Sequence, residues 1–308
     1  MSEPARPGLH ERAPVASEAG EALVASLVRL ALTEDVGTGD ATTLAAVEPE
    51  RTARGLVHAK ENGVLSGVAA ARETARAVDP GIDFHPLLAN GAALSPGDRV
   101  LELRGSARGI LTMERVLLNF LQRLSGVATL TRRYVDAVAG TGVRIADTRK
   151  TTPGLRYLEK AAVRHGGGIN HRMGLYDAFL VKDNHIVAAG GITRTVERVR
   201  AGDSPLFLIV EVRTPEEVAE VAGLAVDQIL LDNMAPEEIA RAVETIRRIE
   251  AGVDLPRAWI EVSGGIDLET VRAKALPGVD LISVGALTHS APAIDLSLEL
   301  ELGASPNA

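Results

Sequence analysis

The apolar positions change rhythm part-way along the chain. Leu23, Leu27 and Leu30 recur at helical spacing and predict an early amphipathic helix. A loop rich in Gly, Thr and Asp follows (residues 34–43), and short β-type runs at 55–59 and 98–103 flank a helical stretch at 69–78. The first third therefore reads as α+β. From 112 to 139 the pattern is helical again, with Val116, Phe120, Leu121 and Leu124 on one stripe. Beyond it the sequence turns regular. Apolar runs at 143–146, 178–181, 206–210, 227–231, 258–262 and 279–284 alternate with helical segments. Thr214-Pro215-Glu216-Glu217 has the form of a capping box with Pro at the first helical position, and Pro236-Glu237-Glu238 repeats it. In the helix that follows, Ile239, Val243 and Ile246 share a face. Six βα units with near-continuous apolar strands predict a parallel sheet covered on both faces. A β/α barrel, incomplete with six or seven strands, is the expected form, and an open doubly wound sheet is the alternative.

Composition narrows the class. The 308 residues are 46% hydrophobic and 24% charged, ordinary for a globular protein. The absence of Cys removes disulfides, thiolate zinc sites and a cysteine nucleophile, and points to a reducing compartment. No run reaches the roughly 18 to 20 apolar residues that span a bilayer. Residues 1–20 carry mixed charge and three Pro without an apolar core. They read as a disordered arm without evident purpose, not as a signal peptide. A cytoplasmic protein, associated with neither membrane nor nucleic acid, is the expectation; the formal charge of −8 argues against phosphate-backbone binding.

Charge is nevertheless unevenly placed. Between Arg144 and His185 there are eight Lys or Arg against four acids, so this window is +4 and the rest of the chain −12. Of only five lysines, Lys150, Lys160 and Lys182 fall within it. Such a cationic pocket in an acidic protein suits a small, strongly anionic ligand. Lys160 reads as an exposed helix charge, whereas Lys150 and Lys182 read as functional, because a compact ammonium is not interchangeable with guanidinium.

In barrels of this type chemistry gathers at the C-terminal ends of the strands. Those positions read Asp147-Thr148-Arg149-Lys150, Lys182-Asp183-Asn184-His185, Glu211, Asp232-Asn233, Ser263-Gly264-Gly265 and Gly285-Ala286. The last two groups offer unobstructed backbone N–H donors at turns that commonly hold a phosphate. Glu211 and Asp232 suit Mg²⁺, sugar hydroxyls or a cationic transition state, with a merely structural Lys182 salt bridge as the alternative. No grouping has the spacing of an all-protein metal site, so any metal is expected to arrive with substrate phosphates. Arg149, Arg172, Lys182 and His171 suit a ligand bearing two carboxylates. His165 reads as structural, and Gly166-Gly167-Gly168 as either a close backbone approach or a flexible loop.

The segments DTRKTTPGLR (147–156), GGGINHRMGLYDAFLVKDNH (166–185), ILLDN (229–233), EVSGGI (261–266) and VGALTHSAPAIDLSLE (284–299) closely resemble the quinolinate phosphoribosyltransferase family, the decarboxylating nicotinate-nucleotide pyrophosphorylases of NAD biosynthesis. EDVGTGDATT (34–43) and LLNFLQRLSGVAT (117–129) resemble it too, so the likeness runs over residues 22–300. It implies an N-terminal α/β sandwich domain (21–126), an incomplete parallel α/β barrel (127–288) and a C-terminal segment (289–308) returning to the first domain. It also implies a homo-oligomer, at least a dimer, whose active sites are shared across subunits. By this resemblance Arg149, His171, Arg172 and Lys182 bind quinolinate, and Arg115 is lent by the neighbouring subunit. Lys150, Glu211 and Asp232 handle phosphoribosyl pyrophosphate and its Mg²⁺. Ser263, Gly264, Gly265, Gly285 and Ala286 hold the 5′-phosphate. Two departures stand out: Arg213 where the family often has a second acid, and Ala161 where it often has an aromatic. The alternatives are a related transferase acting on nicotinate or another small acid, as in molybdenum-linked relatives, a Schiff-base aldolase using Lys182, and an inactive ligand-binding barrel.

Overall fold

A computed structural model describes Gly8 and residues 18–202, 204–253 and 255–302. Apart from Gly8 and the last residues before position 21, the arm read over 1–20 lies outside the described residues. The described chain forms two compact units. One comprises residues 133–150 and 168–287; the other comprises 18–132, 151–167 and 288–302.

The second of these opens with helix Glu18–Val36. The helix is where periodicity predicts it, but its buried stripe is Val24 and Val28, while Leu23 and Leu30 are exposed. Leucine and valine alternate on both sides of this helix, so spacing alone cannot say which stripe packs. The strands that follow are β1 (Thr52–Ala59), β2 (Gly63–Val64), β3 (Asp83–Pro86), β4 (Ala93–Leu94) and β5 (Arg99–Ser106). β1 pairs antiparallel with β5, and β5 with β3. Val57, Leu101 and Leu103 from this sheet share a core with Ile110, Met113, Leu117 and Leu121 of helix Ala107–Ala137. Spacings of three and four residues put that helical stripe on one face.

The barrel unit contains β6 (Arg144–Ala146), β7 (Ala178–Val181), β8 (Phe207–Val212), β9 (Gln228–Asp232), β10 (Trp259–Ser263) and β11 (Leu281–Ser283). All pairings are parallel, in the order β6-β11-β10-β9-β8-β7. Consecutive strands from β7 to β11 are neighbours and β6 joins at the far edge. The sheet is thus a barrel left open between β6 and β7. Residues beside β6 partly line that opening: Ile169 bridges to Ala146 in parallel, its N–H donating to Ile145 O at 2.8 Å. Strand residues alternate faces, so every second side chain points inward. Ala146, Ala178, Phe207, Ile209, Leu230, Trp259 and Leu281 form the interior cluster, which fixes the inward parity on each strand. Arg144 lies 4.7 Å from the Trp259 ring centroid at the N-terminal end, a cation–π contact.

Residues 151–167, read from sequence as barrel, group with the other unit. Helix Arg156–His165 is bonded into it: Arg123 Nη2 donates to Glu159 Oε1 at 2.8 Å, and Ser66 Oγ meets His165 Nδ1 at 2.8 Å. His165 is therefore structural, as expected. Lys160 is not the exposed charge read from sequence but one of the largest fully buried side chains. It follows Glu159 on the packed face of a helix whose other side carries Arg164. Gly166 is a close approach and not merely a flexible loop: a Cβ there would lie 2.4 Å from Ala128 O. Finally β12 (Leu296–Leu302) pairs antiparallel with β1, completing the four-stranded sheet β12-β1-β5-β3.

Candidate active site

Strand register places the chemistry on one rim. Ala146 pairs with Ser283, Ile282 with Val262, Ser263 with Asp232, Leu231 with Val212, and Val210 with Val181. Asp147, Ser263, Asp232, Glu211 and Lys182 therefore occupy the same C-terminal end. Parity does the rest. Glu211 follows Phe207 and Ile209, Asp232 follows Leu230, and Lys182 follows Ala178 by four positions, so all three continue inward-facing series.

Lys182 Nζ donates to Glu211 Oε2. Glu211 is 6% exposed and so depends on that partner, whereas the lysine side chain is 44% exposed. The backbone N–H of Lys182 donates to His185 Nδ1 at 3.0 Å, fixing the turn from which the lysine extends. The Lys182 salt bridge given above as the alternative is thus present, and it stands at the mouth among other charges.

Arg172 is buried and its Nη1 donates to Ala178 O at 3.0 Å, while its Nε is buried without a hydrogen-bond partner. Burial and the nearby Arg149 charge hold its pKa below the ordinary arginine value, and Asp177 only partly offsets them. His171 is positioned from behind: its N–H donates to Asp147 Oδ1 at 2.9 Å, and Asn170 Nδ2 donates to Asp147 Oδ2 at 2.5 Å. Its Nε2 lies 3.2 Å from Glu261 Oε2, to which Gln228 Nε2 also donates. Glu261 is fully buried; burial pushes its carboxyl up, but His171 and the hydrogen bonds prevail and hold it below the ordinary value.

Asp147, Glu261 and Gln228 are supporting residues that sequence reading did not single out. The signal for Glu261 was available, because an acid within the apolar run Trp259–Ser263 needs a buried partner. Asp147 sits in the conspicuous strand-end group but serves the backbone, which residue type alone does not reveal. Lys150 is exposed on the same rim, its N–H donating to Thr148 Oγ1 at 3.0 Å. Arg115 belongs to the other unit, exposed on helix Ala107–Ala137.

After β10 the chain turns through Gly264 (φ +86°) and Gly265 (φ +60°), two successive left-handed residues. Asn233 N–H donates to Ser263 O at 2.9 Å, and Lys274 Nζ to Gly264 O at 3.1 Å. A Cβ on Gly264 would lie 2.2 Å from Asn233 Oδ1, so position 264 accepts no side chain as the turn stands. Gly264→Ala is expected to lower stability by about 1 kcal/mol or more. Urea unfolding checks this, and an unchanged midpoint would contradict the close contact. Gly285 lies two residues beyond β11, and Ala286 opens the short helix Ala286–His289.

Two family models cover this architecture. One described as quinolinate phosphoribosyl transferase, C-terminal domain, matches residues 127–299; one described as the N-terminal domain of the same enzyme matches 40–125. The chain belongs to the quinolinate phosphoribosyltransferase family. Curated relatives agree. A probable carboxylating nicotinate-nucleotide pyrophosphorylase of Synechocystis is 44% identical over 270 residues, covering 87% of this chain and 90% of that protein. Its Bacillus subtilis counterpart is 40% identical with the same coverage. Among solved structures, the nicotinate-nucleotide pyrophosphorylase from Francisella tularensis superposes with a TM-score of 0.86 at 38% identity, covering 96% of this chain and 100% of that one. The Ehrlichia chaffeensis enzyme gives 0.82 at 36% identity, with 90% and 98% coverage. Family membership fits a strand-end site with cations on β6 and β7, acids on β8 and β9, and Gly-rich turns after β10 and β11.

Proposed function

We infer that this protein transfers the phosphoribosyl group of phosphoribosyl pyrophosphate to quinolinate with loss of CO₂, giving nicotinate mononucleotide and pyrophosphate in NAD biosynthesis. The observation that carries the substrate assignment is Arg172, buried beside the Arg149 charge with its Nε lacking a protein partner. Preorganised, desolvated guanidinium groups bind a planar dicarboxylate at low reorganisation cost. Lys182 adds an ammonium to that wall and His171 an imidazole.

The reaction follows from this charge layout. The quinolinate ring nitrogen attacks C1 of the ribose as the bond to pyrophosphate breaks, and the leaving group keeps the electron pair. Positive charge develops on the ribose, where Glu211 and Asp232 are placed to stabilise it. Quaternising the nitrogen makes the ring an electron sink. The bond to the 2-carboxylate then breaks, CO₂ departs, and a proton replaces it on the resulting ylide. Ser263, Gly264, Gly265, Gly285 and Ala286 supply the 5′-phosphate turns, and Lys150 reaches the pyrophosphate side.

Mg²⁺ belongs to this reading as a companion of the pyrophosphate substrate. Among the described residues no group of three or more His, Asp or Glu is placed to hold a metal, and the oxygens of Glu211 and Asp232 face Lys182 and Arg213. A resident metal site on Glu211 and Asp232 does not fit this donor set. The reading further takes the active enzyme as an oligomer of at least two copies, each lending its exposed Arg115 to a neighbour, in the cytoplasm. Among the described residues no helix is long and apolar enough to cross a membrane. Equilibrium dialysis tests the substrate assignment. Quinolinate is expected to bind at least about 100-fold more tightly than nicotinate, since the latter lacks one charge-assisted carboxylate contact. Equal affinities would point to the nicotinate-using alternative.

A further inference from the structure

Arg213 follows Val212 at the end of β8 and is the one rim residue whose charge opposes the acids expected there. Its guanidinium meets three carboxylates at once. Nη1 donates to Asp183 Oδ2 at 2.9 Å, Nε to Asp232 Oδ2 at 3.1 Å, and Nη2 to Glu211 Oε1 at 3.3 Å. These acids come from the ends of three neighbouring strands, β7, β8 and β9. Each carboxylate has a further donor, on the other oxygen of Glu211 and Asp183 and on the same oxygen of Asp232. Lys182 takes the other oxygen of Glu211, Asn233 Nδ2 donates to Asp232 Oδ2 at 3.0 Å, and Asn184 N–H donates to Asp183 Oδ1 at 2.7 Å. The arginine's own backbone N–H is held by Glu217 Oε2 at 2.6 Å. A planar fork of five permanently charged donors suits this arrangement, whereas a lysine would reach fewer acceptors.

The cluster consequently carries three acids and two cations, a net charge of −1. An acid at position 213 would make it −3, free an oxygen on each of Glu211 and Asp183, and leave Asp232 Oδ2 to Asn233 alone. Oxygen-rich, strongly negative sites attract hard divalent cations; nearly neutral ones with occupied lone pairs do not.

We propose that Arg213 is a built-in counter-cation that fixes Glu211 and Asp232 for the ribose and denies their oxygens to free divalent metal, so that metal enters this enzyme only on its pyrophosphate substrate. Arg213 is a positioning residue that sets the metal requirement. The proposal rests on the phosphoribosyl-transfer reading, but its test does not depend on turnover.

The test is Mn²⁺ titration of the full-length protein without substrates, followed by electron paramagnetic resonance of free Mn²⁺. The wild type and Arg213→Lys are expected to take up little Mn²⁺. Arg213→Glu is expected to bind it at least about tenfold more tightly, and Arg213→Gln to fall between. Arg213→Gln is also expected to raise KM for phosphoribosyl pyrophosphate severalfold while leaving KM for quinolinate unchanged, a split that general loosening of the fold would not produce. If Arg213→Glu does not fold, as judged by circular dichroism, Arg213→Gln carries both readouts. Identical Mn²⁺ curves for wild type, Glu and Gln variants overturn the proposal, as does tight Mn²⁺ binding by the substrate-free wild type. Absent turnover with the Mn²⁺ contrast intact would instead overturn the phosphoribosyl-transfer reading alone.

Discussion

Lys182→Ala is expected to lower kcat/KM for quinolinate by about a hundredfold to a thousandfold, the usual cost of removing one preorganised charge from a reacting centre. The ammonium is in contact with Glu211 at the strand-end rim, so it adjoins the ribose side of the site. Its loss removes a cation from the quinolinate wall and leaves Glu211 leaning on Arg213 alone. Phosphoribosyl pyrophosphate binding, measured by dialysis of labelled substrate, is expected to stay within about threefold, because the Gly-rich turns and Asp232 are untouched. Arg in place of Lys182 is not expected to rescue, since its fork cannot occupy the position of a point charge. Turnover within twofold of wild type for Lys182→Ala would remove the lysine from the mechanism.

Glu261→Ala is expected to have the largest effect on stability, a loss of about 2 to 5 kcal/mol, as when a buried hydrogen-bond network is broken and its donors lose their acceptor. The glutamate lies fully inside the barrel and holds Gln228 and His171 together. Truncation takes an acceptor from both and loosens the hold on the His171 ring, so KM for quinolinate is expected to rise along with the fall in the urea midpoint. The pH dependence has a definite sign. The folded carboxyl is held below its ordinary value of 4.5, so its contribution is fully present above that pH and fades as pH falls further through the folded value. The wild type is therefore expected to lose stability more steeply below about pH 4.5 than Glu261→Gln, which has no such group to protonate. Parallel stability–pH curves would show that Glu261 does not carry this contribution.

The barrel was legible because six apolar runs alternate with capped helices, and parallel strands must all end on one side. Once that side was known, Lys182, Glu211 and Asp232 could be placed together from parity alone. Other features depend on neighbours that local sequence does not specify. The buried stripe of helix Glu18–Val36 is set by what covers it, and Leu23 and Leu30 mark the other side. Lys160 is buried because helix Arg156–His165 packs within a unit that sequence continuity does not suggest. The pairing of β12 with β1 spans more than two hundred residues, and only the family resemblance anticipated it. Glu261 and Arg213 show the same limit at the site itself. Each was visible as a charge out of place, but its partners come from separate strands and needed the register of the sheet.

The most direct test of the central claim is product stoichiometry. Quinolinate, phosphoribosyl pyrophosphate and Mg²⁺ are incubated with the protein, nicotinate replaces quinolinate in a parallel reaction, and CO₂ and pyrophosphate are counted in both. Equimolar CO₂ and pyrophosphate from quinolinate, with neither product from nicotinate, is the predicted result. Pyrophosphate without CO₂, or turnover of nicotinate at the quinolinate rate, would contradict the decarboxylating assignment while leaving the barrel and its phosphate turns in place.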